Sequence, residues 1–549
     1  MTAASGRARA SERLRSHNRR QSNRAETNLR LRAVALVALM LAGILIAGRA
    51  VHADISPAAT LLTSGQLPVV NLASSASVEW ECPGPLPAGT SPYRSSVIIA
   101  NPGQRPATVV VDVAARRVAS KHLAGRPLPS WSTQLTVTPR SQQVVVLRTT
   151  GPKQNDAVSV LSTSGSVGVF ESVATAPSAR VRHKGQTAGE TSLGTPEQSP
   201  CATGVTGSSY LASGSTAGRS DVVVSLFNPT ATQAVAAIRV STGSAVVVPP
   251  ALQGIIIKPY SLQVFQLARW VVQQATVAVT ETTSVGRVAM GASESIESDS
   301  TAATVVSGQA LLIGVATPND AWVMTSGLGQ PLRTVSVRVY DPGSRAASVT
   351  IFCPVVGKPL TEITAVVPAG EVRAVTLPLP TASNTSRGKA PPPLVAGPIV
   401  VRTAEGVGVV VARIVVRQDT PRSQTVSVVA ATANPADDWL VPAGSGTSVA
   451  VATSVAGSLV VSNAVSAPAD LEVDQLAAAG QSNAATLTTL TVAAGGTGTV
   501  KLQLAGTSFA VLEVRASSPV VIEQDYSPAS ASDTAPVGPT PVEGIPVIG

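Results

Sequence analysis

Tyr210-Leu-Ala-Ser-Gly-Ser-Thr216, followed by Val224-Ser-Leu-Phe-Asn-Pro-Thr230, decides the reading of the fold, because this stretch has three counterparts in the chain. The other openings are Trp80-Glu-Cys-Pro-Gly, Trp322-Val-Met-Thr-Ser-Gly and Trp439-Leu-Val-Pro-Ala-Gly-Ser. About twenty residues after each aromatic an apolar run ends in a turn: VIIANPG with Asn101, VSLFNPT with Asn228, VRVYDPG with Asp341 and LVVSNAV with Asn463. Recurrence of one unit along a chain marks a repeat architecture.

Outward from these turns the units stay in step. A second alternating run follows each of them: ATVVVDV, AVAAIRV, ASVTIFC and ADLEVDQL. Then come a strand, a Pro- or Gly-bearing turn and another strand, as in LTVTPRSQQVVVL and IIIKPYSLQVFQL, and a closing pair such as AVSVLSTSGSVGVFES. Seven strands in about 115 residues match an immunoglobulin-like sandwich and are too many for one propeller blade. Alternation with period two supplies the single apolar face that a two-layer sandwich buries. The expected fold is mostly β: four tandem immunoglobulin-like β-sandwich repeats at 80–190, 201–300, 308–420 and 425–526.

With these motifs the chain resembles an uncharacterised class of exported, membrane-anchored actinobacterial proteins built from domains of unknown function. The shared marks are the aromatic-led strand, a Gly-Ser-Thr-like turn, a strand ending in Asn-Pro, a Pro-x-Ser turn and a closing strand ending near Glu. The resemblance covers Trp80–Tyr526; Tyr210–Thr216 with Asn228-Pro229 fits it well, whereas Asn463 lacks the following Pro. It implies no activity.

Before the repeats lies Ala33–Gly48 (AVALVALMLAGILIAG), free of charge and Pro and bounded by Arg32 and Arg49. A helix of this run is about 24 Å long, and the flanking arginines can snorkel to the interfaces of a ~30 Å hydrocarbon core. We read 33–53 as an uncleaved single-span anchor; a signal peptide cut after Val51-His52-Ala53 is the alternative. Residues 1–32 hold nine Arg against Glu12 and Glu26, which keeps them cytoplasmic and sends the rest outward. A cut leader would release the chain as a secreted protein. Residues 1–32 read as a disordered basic segment and 54–79 as a spacer.

Most of the formal +9 charge therefore belongs to topology, and a nucleic-acid partner is not expected. Only 13% of residues are charged, and the His residues are confined to His17, His52, His122 and His183. Repeats two to four thus have none for a Ser-His-Asp mechanism or a His-built zinc site. No phosphate loop or dinucleotide fingerprint is present. No catalytic residue, metal site or cofactor is expected.

A few residues remain as candidates. Cys82 and Cys201 bracket the first repeat and are expected to bond in an oxidising exterior, with Cys353 a buried free thiol. Trp80, Tyr210, Trp322 and Trp439 are read chiefly as core plugs, with sugar stacking as the sharper alternative. Glu171, Glu294 and Glu523 recur at repeat ends where the third repeat has Arg413, and are read as solvated strand-edge charges. Residues 174–208 read as a polar connector, 379–397 as a Pro-rich loop and 527–549 as a disordered Pro-rich tail.

The functional expectation is a non-enzymatic cell-envelope protein, an anchored scaffold or adhesion stalk touching the membrane through 33–53. The alternatives are a carbohydrate- or peptidoglycan-binding protein and an accessory subunit of a membrane glycosyltransferase system, with wall polysaccharide or an envelope protein as partner.

Overall fold

Alternating Val, Ala and Thr runs punctuated by Asn-Pro and Gly turns become strands throughout the computed structural model, which has only two short 3-10 turns besides them among the described residues. The structure describes residues 70–548 apart from 72–76, 89–92, 116–130, 148–153, 176–196, 326–331, 355–359, 379–396, 445–456, 480–483, 505–508, 527–541 and a few single positions. The segments read as 1–32 and 33–53 lie outside the described residues, as does the spacer read at 54–79 apart from 70–71, a short strand, and 77–79, where the first long strand begins. Among those described, no helix is long and apolar enough to cross a membrane. The mostly β expectation holds.

In chain order the first set of strands is Val78–Ala88, Tyr93–Asn101, Ala107–Ala115, Trp131–Val137, Ser141–Val146, Gln154–Ser164, Gly168–Thr175 and Glu197–Pro200. One sheet runs first–sixth–third–fourth and the other fifth–second–seventh–eighth. The same order recurs in three further sets, beginning at Ser208–Leu211, Ala321–Met324 and Ala436–Gly444. In the last set one long strand, Phe509–Tyr526, supplies both sixth and seventh positions and so belongs to both sheets.

This order corrects the immunoglobulin-like expectation. An immunoglobulin sandwich pairs its first strand with its second and its seventh with its sixth. Here the first strand pairs with the sixth and the seventh with the second, as Trp80↔Val160 and Val97↔Glu171 illustrate. The pairings of second with fifth and third with sixth are shared with immunoglobulins. Periodicity says which residues face the core; it does not say which strands are neighbours.

The eighth strands correct the boundaries. Glu197–Pro200 pairs with the seventh strand, and Ala202–Thr203 crosses to pair with Glu81 and Trp80, so the first set reaches residue 203, beyond the expected 190. Val305–Ile313 and Ser423–Ala430 do the same work, and each chain then bridges to its own first strand, Val315 to Tyr210 and Thr432 to Val323. In the fourth set residues 542–548 take this role: they pair with Glu523–Gln524 and with Asp438–Leu440. That part of the expected disordered tail is strand, held by the burial of Ile545 and Val547.

Between the two sheets of each set lies a core made chiefly of Val, Ala, Ile and Leu; in the first, third and fourth it holds a fully enclosed indole, Trp80, Trp322 and Trp439, and among the described residues the second core has none. The repeated Asn has a definite task. The Asn101 amide donates to Arg105 O (2.8 Å) and Val137 O (3.1 Å) while its Oδ1 accepts from Gly103 N (2.9 Å). Asn228 and Asn463 make the equivalent clamps onto Thr232 O and Ala467 O, at 2.7 Å each. Each ties the turn to the end of the fourth strand. Asp341 keeps only the acceptor half, from Gly343 N, and its Oδ2 is orphaned.

Candidate functional site

The residues that could carry chemistry gather where one strand set meets the next. Residues 65–549 form one compact unit, and inside it the contacts close a cycle. Ser225 of the second set donates to Gly84 O of the first at 2.8 Å. Arg338 of the third donates to Ser213 Oγ (3.0 Å) and Gly214 O (2.8 Å) of the second. Arg413 of the third bonds Glu523 of the fourth at 2.5 Å. Arg140 of the first then reaches Asp474 (2.7 Å) and Glu513 (2.9 Å) of the fourth.

Glu171, Glu294, Arg413 and Glu523 all lie on seventh strands, opposite Val97, Val222, Val337 and Val460, and all four are buried rather than on a solvated edge. The reading as edge charges is thus corrected: Glu171, Glu294 and Arg413 share the face of their own set's core, and Glu523 lies on the opposite face, where it meets the neighbouring set. Their partners differ. The Gly84 amide donates to Glu171 Oε2 at 3.0 Å, and Oε1 has no partner. Burial pushes this carboxyl up to about 8, with the Gly84 amide opposing. Ser213 donates to Glu294 Oε2 at 2.9 Å, and Arg338 lies 3.6 Å from Oε1. Burial raises Glu294 and lowers Arg338, each opposed by the other's charge.

The third seam reverses the order of charges. Arg413 donates to Thr325 O (2.5 Å), Thr325 Oγ1 (2.9 Å) and Glu523, and Thr325 itself donates to Glu523 Oε2. At the last seam burial opposes ionisation of Asp474. Hydrogen bonds from Thr486 and Arg515 and the charge of Arg140 outweigh it, holding that carboxyl below its ordinary range. Two backbone bonds also cross here, Gln142 N to Ala477 O (2.9 Å) and Ala477 N to Arg140 O (3.0 Å).

The aromatic candidates are not brought together as a ligand platform. The Trp322 indole donates to Val409 O at 2.8 Å and that of Trp439 to Val520 O at 3.1 Å, each inside its own core. Enclosed rings offer no face for a sugar to stack on. Tyr210 is half-buried, and its backbone pairs with Val315. Cys82 and Cys201 are joined by a disulfide, and Cys353 is a buried thiol that burial pushes up to about 11.

Cys82, Cys201 and Glu171 also place their ligand atoms within 4.8 Å of one another. Sulfurs spent on a disulfide are not the thiolates that bind metal, so in this state the trio does not fit an ion. A cavity of about 30 Å³ lies among the eighth strands, lined by Ser199, Pro200, Leu312, Ile313, Val428 and Val429 among others. That is room for a water or two, not for a substrate. What the polar residues of the seams do is join: Glu294 meets Arg338, Arg413 meets Glu523, and Arg140 meets Asp474 and Glu513.

No family model matches the chain, and neither does any curated protein. Among solved structures, one of a tetra-tandem repeat in the extending region of a large adhesion protein aligns at 10% identity over 87% of this chain and 98% of that one. Its TM-score of 0.10 means the backbones do not superpose, so the alignment carries no argument about fold or role.

Proposed function

We propose that the chain is a non-enzymatic scaffold of the cell envelope: four tandem sandwich modules held outside the cytoplasm by the anchor at 33–53. The observation that supports this reading is the salt bridge of Arg140 with Asp474 and Glu513, which ties the first strand set to the last. A body closed in this way fixes the position of its surfaces and gives up reach, so the scaffold version is preferred to an extended stalk. The resemblance to membrane-anchored actinobacterial proteins points the same way. A sugar-binding role loses the stacking surface that would have argued for it, since Trp80, Trp322 and Trp439 are enclosed.

The test has two parts. Protease added to intact cells should release fragments from beyond residue 54 and leave 1–32 protected; protection of the β-rich part overturns the topology. Crosslinking in membranes should then capture a defined envelope partner from the full chain, and the capture should fail when 33–53 is exchanged for a cleavable leader. Turnover of wall polysaccharide by purified 54–549 would overturn the non-enzymatic reading.

A further inference from the structure

In the first three sets the eighth strand is also the link to the next set, so it is threaded at both ends. No further set follows the fourth among the described residues. Its eighth strand comes from residues 542–548, reached through the fifteen residues 527–541. Gln524 pairs with Val542 in antiparallel register, a junction that a hairpin loop of about two to five residues would satisfy. Fifteen residues can span about 50 Å when extended. The connection is far longer than the pairing within one chain requires.

The cleft that holds the segment is shaped for it. Ile545 and Val547 enter the core that also contains Trp80, and Pro546 lies opposite Trp439. Gly544 leaves no room for a side chain: a Cβ there would sit 2.9 Å from Trp439 Cε3 and 2.9 Å from Val441 Cγ2. On its far edge the segment pairs, among the described residues, with Val70–Asn71 in parallel. Pro546 contributes no N–H to the ladder, so this is a strand of modest hold, tied by side-chain fit more than by backbone bonds.

We propose that this cleft is a strand-acceptor site, and that residues 542–548 of a second copy of this chain fill it, joining copies by strand exchange. Every contact made within one chain is reproduced in the exchanged state, because donor and cleft are the same sequences. The balance is then set by copy concentration against the effective concentration supplied by 527–541. Chains concentrated on one membrane surface would favour exchange. The inference stands on the cleft alone and does not require the envelope reading.

A full-length chain bearing a specific protease site within 527–541 is cut after folding and offered a fluorescent peptide of residues 542–549, Val-Glu-Gly-Ile-Pro-Val-Ile-Gly. One peptide should enter per chain, and the peptide with Gly544→Leu should bind at least about tenfold more weakly, since it overpacks against Trp439. Retention of the chain's own segment with exclusion of the peptide, loss of folding on cutting, or equal binding of the Leu peptide overturns the proposal. Uncut ¹⁵N-labelled and unlabelled chains are then mixed at high concentration. Mixed dimers should appear by native mass spectrometry and disappear with excess wild-type peptide but not the Leu peptide. Peptide binding without mixed dimers would make the occupant a foreign strand and overturn the second-copy assignment.

Discussion

Arg413 and Glu523, on the seventh strands of successive sets, are bonded to each other at 2.5 Å with both side chains buried. Arg413 stands opposite Val337 of its own core, whereas Glu523 stands opposite Val460, on the face turned away from its core, so the inner face of one set answers the outer face of the next. Removing one residue of the pair leaves the other charged and enclosed. Arg413→Met should therefore cost about 3–5 kcal/mol, while Arg413→Met with Glu523→Leu should recover most of that loss. Denaturant unfolding in a double-mutant cycle checks it; additive effects would show that the pair is not coupled.

Asp341 stands where the other sets have Asn101, Asn228 and Asn463, and burial raises its carboxyl above the ordinary range, opposed by the amides of Gly343 and Ala347. An amide here could donate to the backbone as its counterparts do. Asp341→Asn should raise stability by about 1 kcal/mol, seen as a higher melting temperature at neutral pH. A lower one would mean that the turn differs from its siblings in more than this side chain.

Glu171 contributes a pH dependence whose sign is fixed by its shift to about 8 from 4.5. Between those values the folded chain holds a proton that the unfolded chain has released, so stability falls as pH rises through the window and levels off above about 8. Burial raises Glu197 and Glu281 to about 8 as well and gives the same sign. The comparison must therefore be between the wild type and Glu171→Gln. The variant should gain on the wild type by roughly 1 kcal/mol per pH unit across the window. A constant difference from pH 5 to 8 would contradict the protonated assignment.

The bond between Cys82 and Cys201 closes a loop with a sequence separation of 119. On chain-entropy grounds Cys82→Ser should lower stability by about 4–5 kcal/mol. Reduction should change the gel mobility of Cys353→Ser as it does the wild type, and should leave Cys82→Ser unchanged. Equal mobility of wild type with and without reductant would show the bond unformed.

How much of this could be read in the sequence follows from what periodicity carries. Alternation in runs such as ATVVVDV fixes strands and their inward faces, and Asn-Pro marks the turns. The strand order was hidden, because a first strand that pairs with the sixth has the same pattern as one that pairs with the second. The seam residues misled for a related reason: a polar residue near the end of a strand looks the same whether water or another set covers it. Arg413 appeared to break the Glu pattern, yet it is the charge that answers Glu523. The eighth strands Glu197–Pro200 and Ile545–Ile548 are short and Pro-bearing, and take their form from the ladder they join. Because Glu171, Glu294 and Glu523 are enclosed, substitutions there act through stability before they can report on any activity.

The parallel pairing of Val70 with Val547 and Asn71 with Ile548 sets the beginning of the described chain alongside its end. With the seams running from first set to second, third and fourth and back to the first, no set is terminal in space. The order of the sets along the gene is then one of several equivalent ways to write the same body. A circular permutant that joins residue 548 to residue 70 through a linker of about a dozen residues, as parallel neighbours require, and opens the chain between the second and third sets near residue 317, keeps every seam and every ladder bond named here.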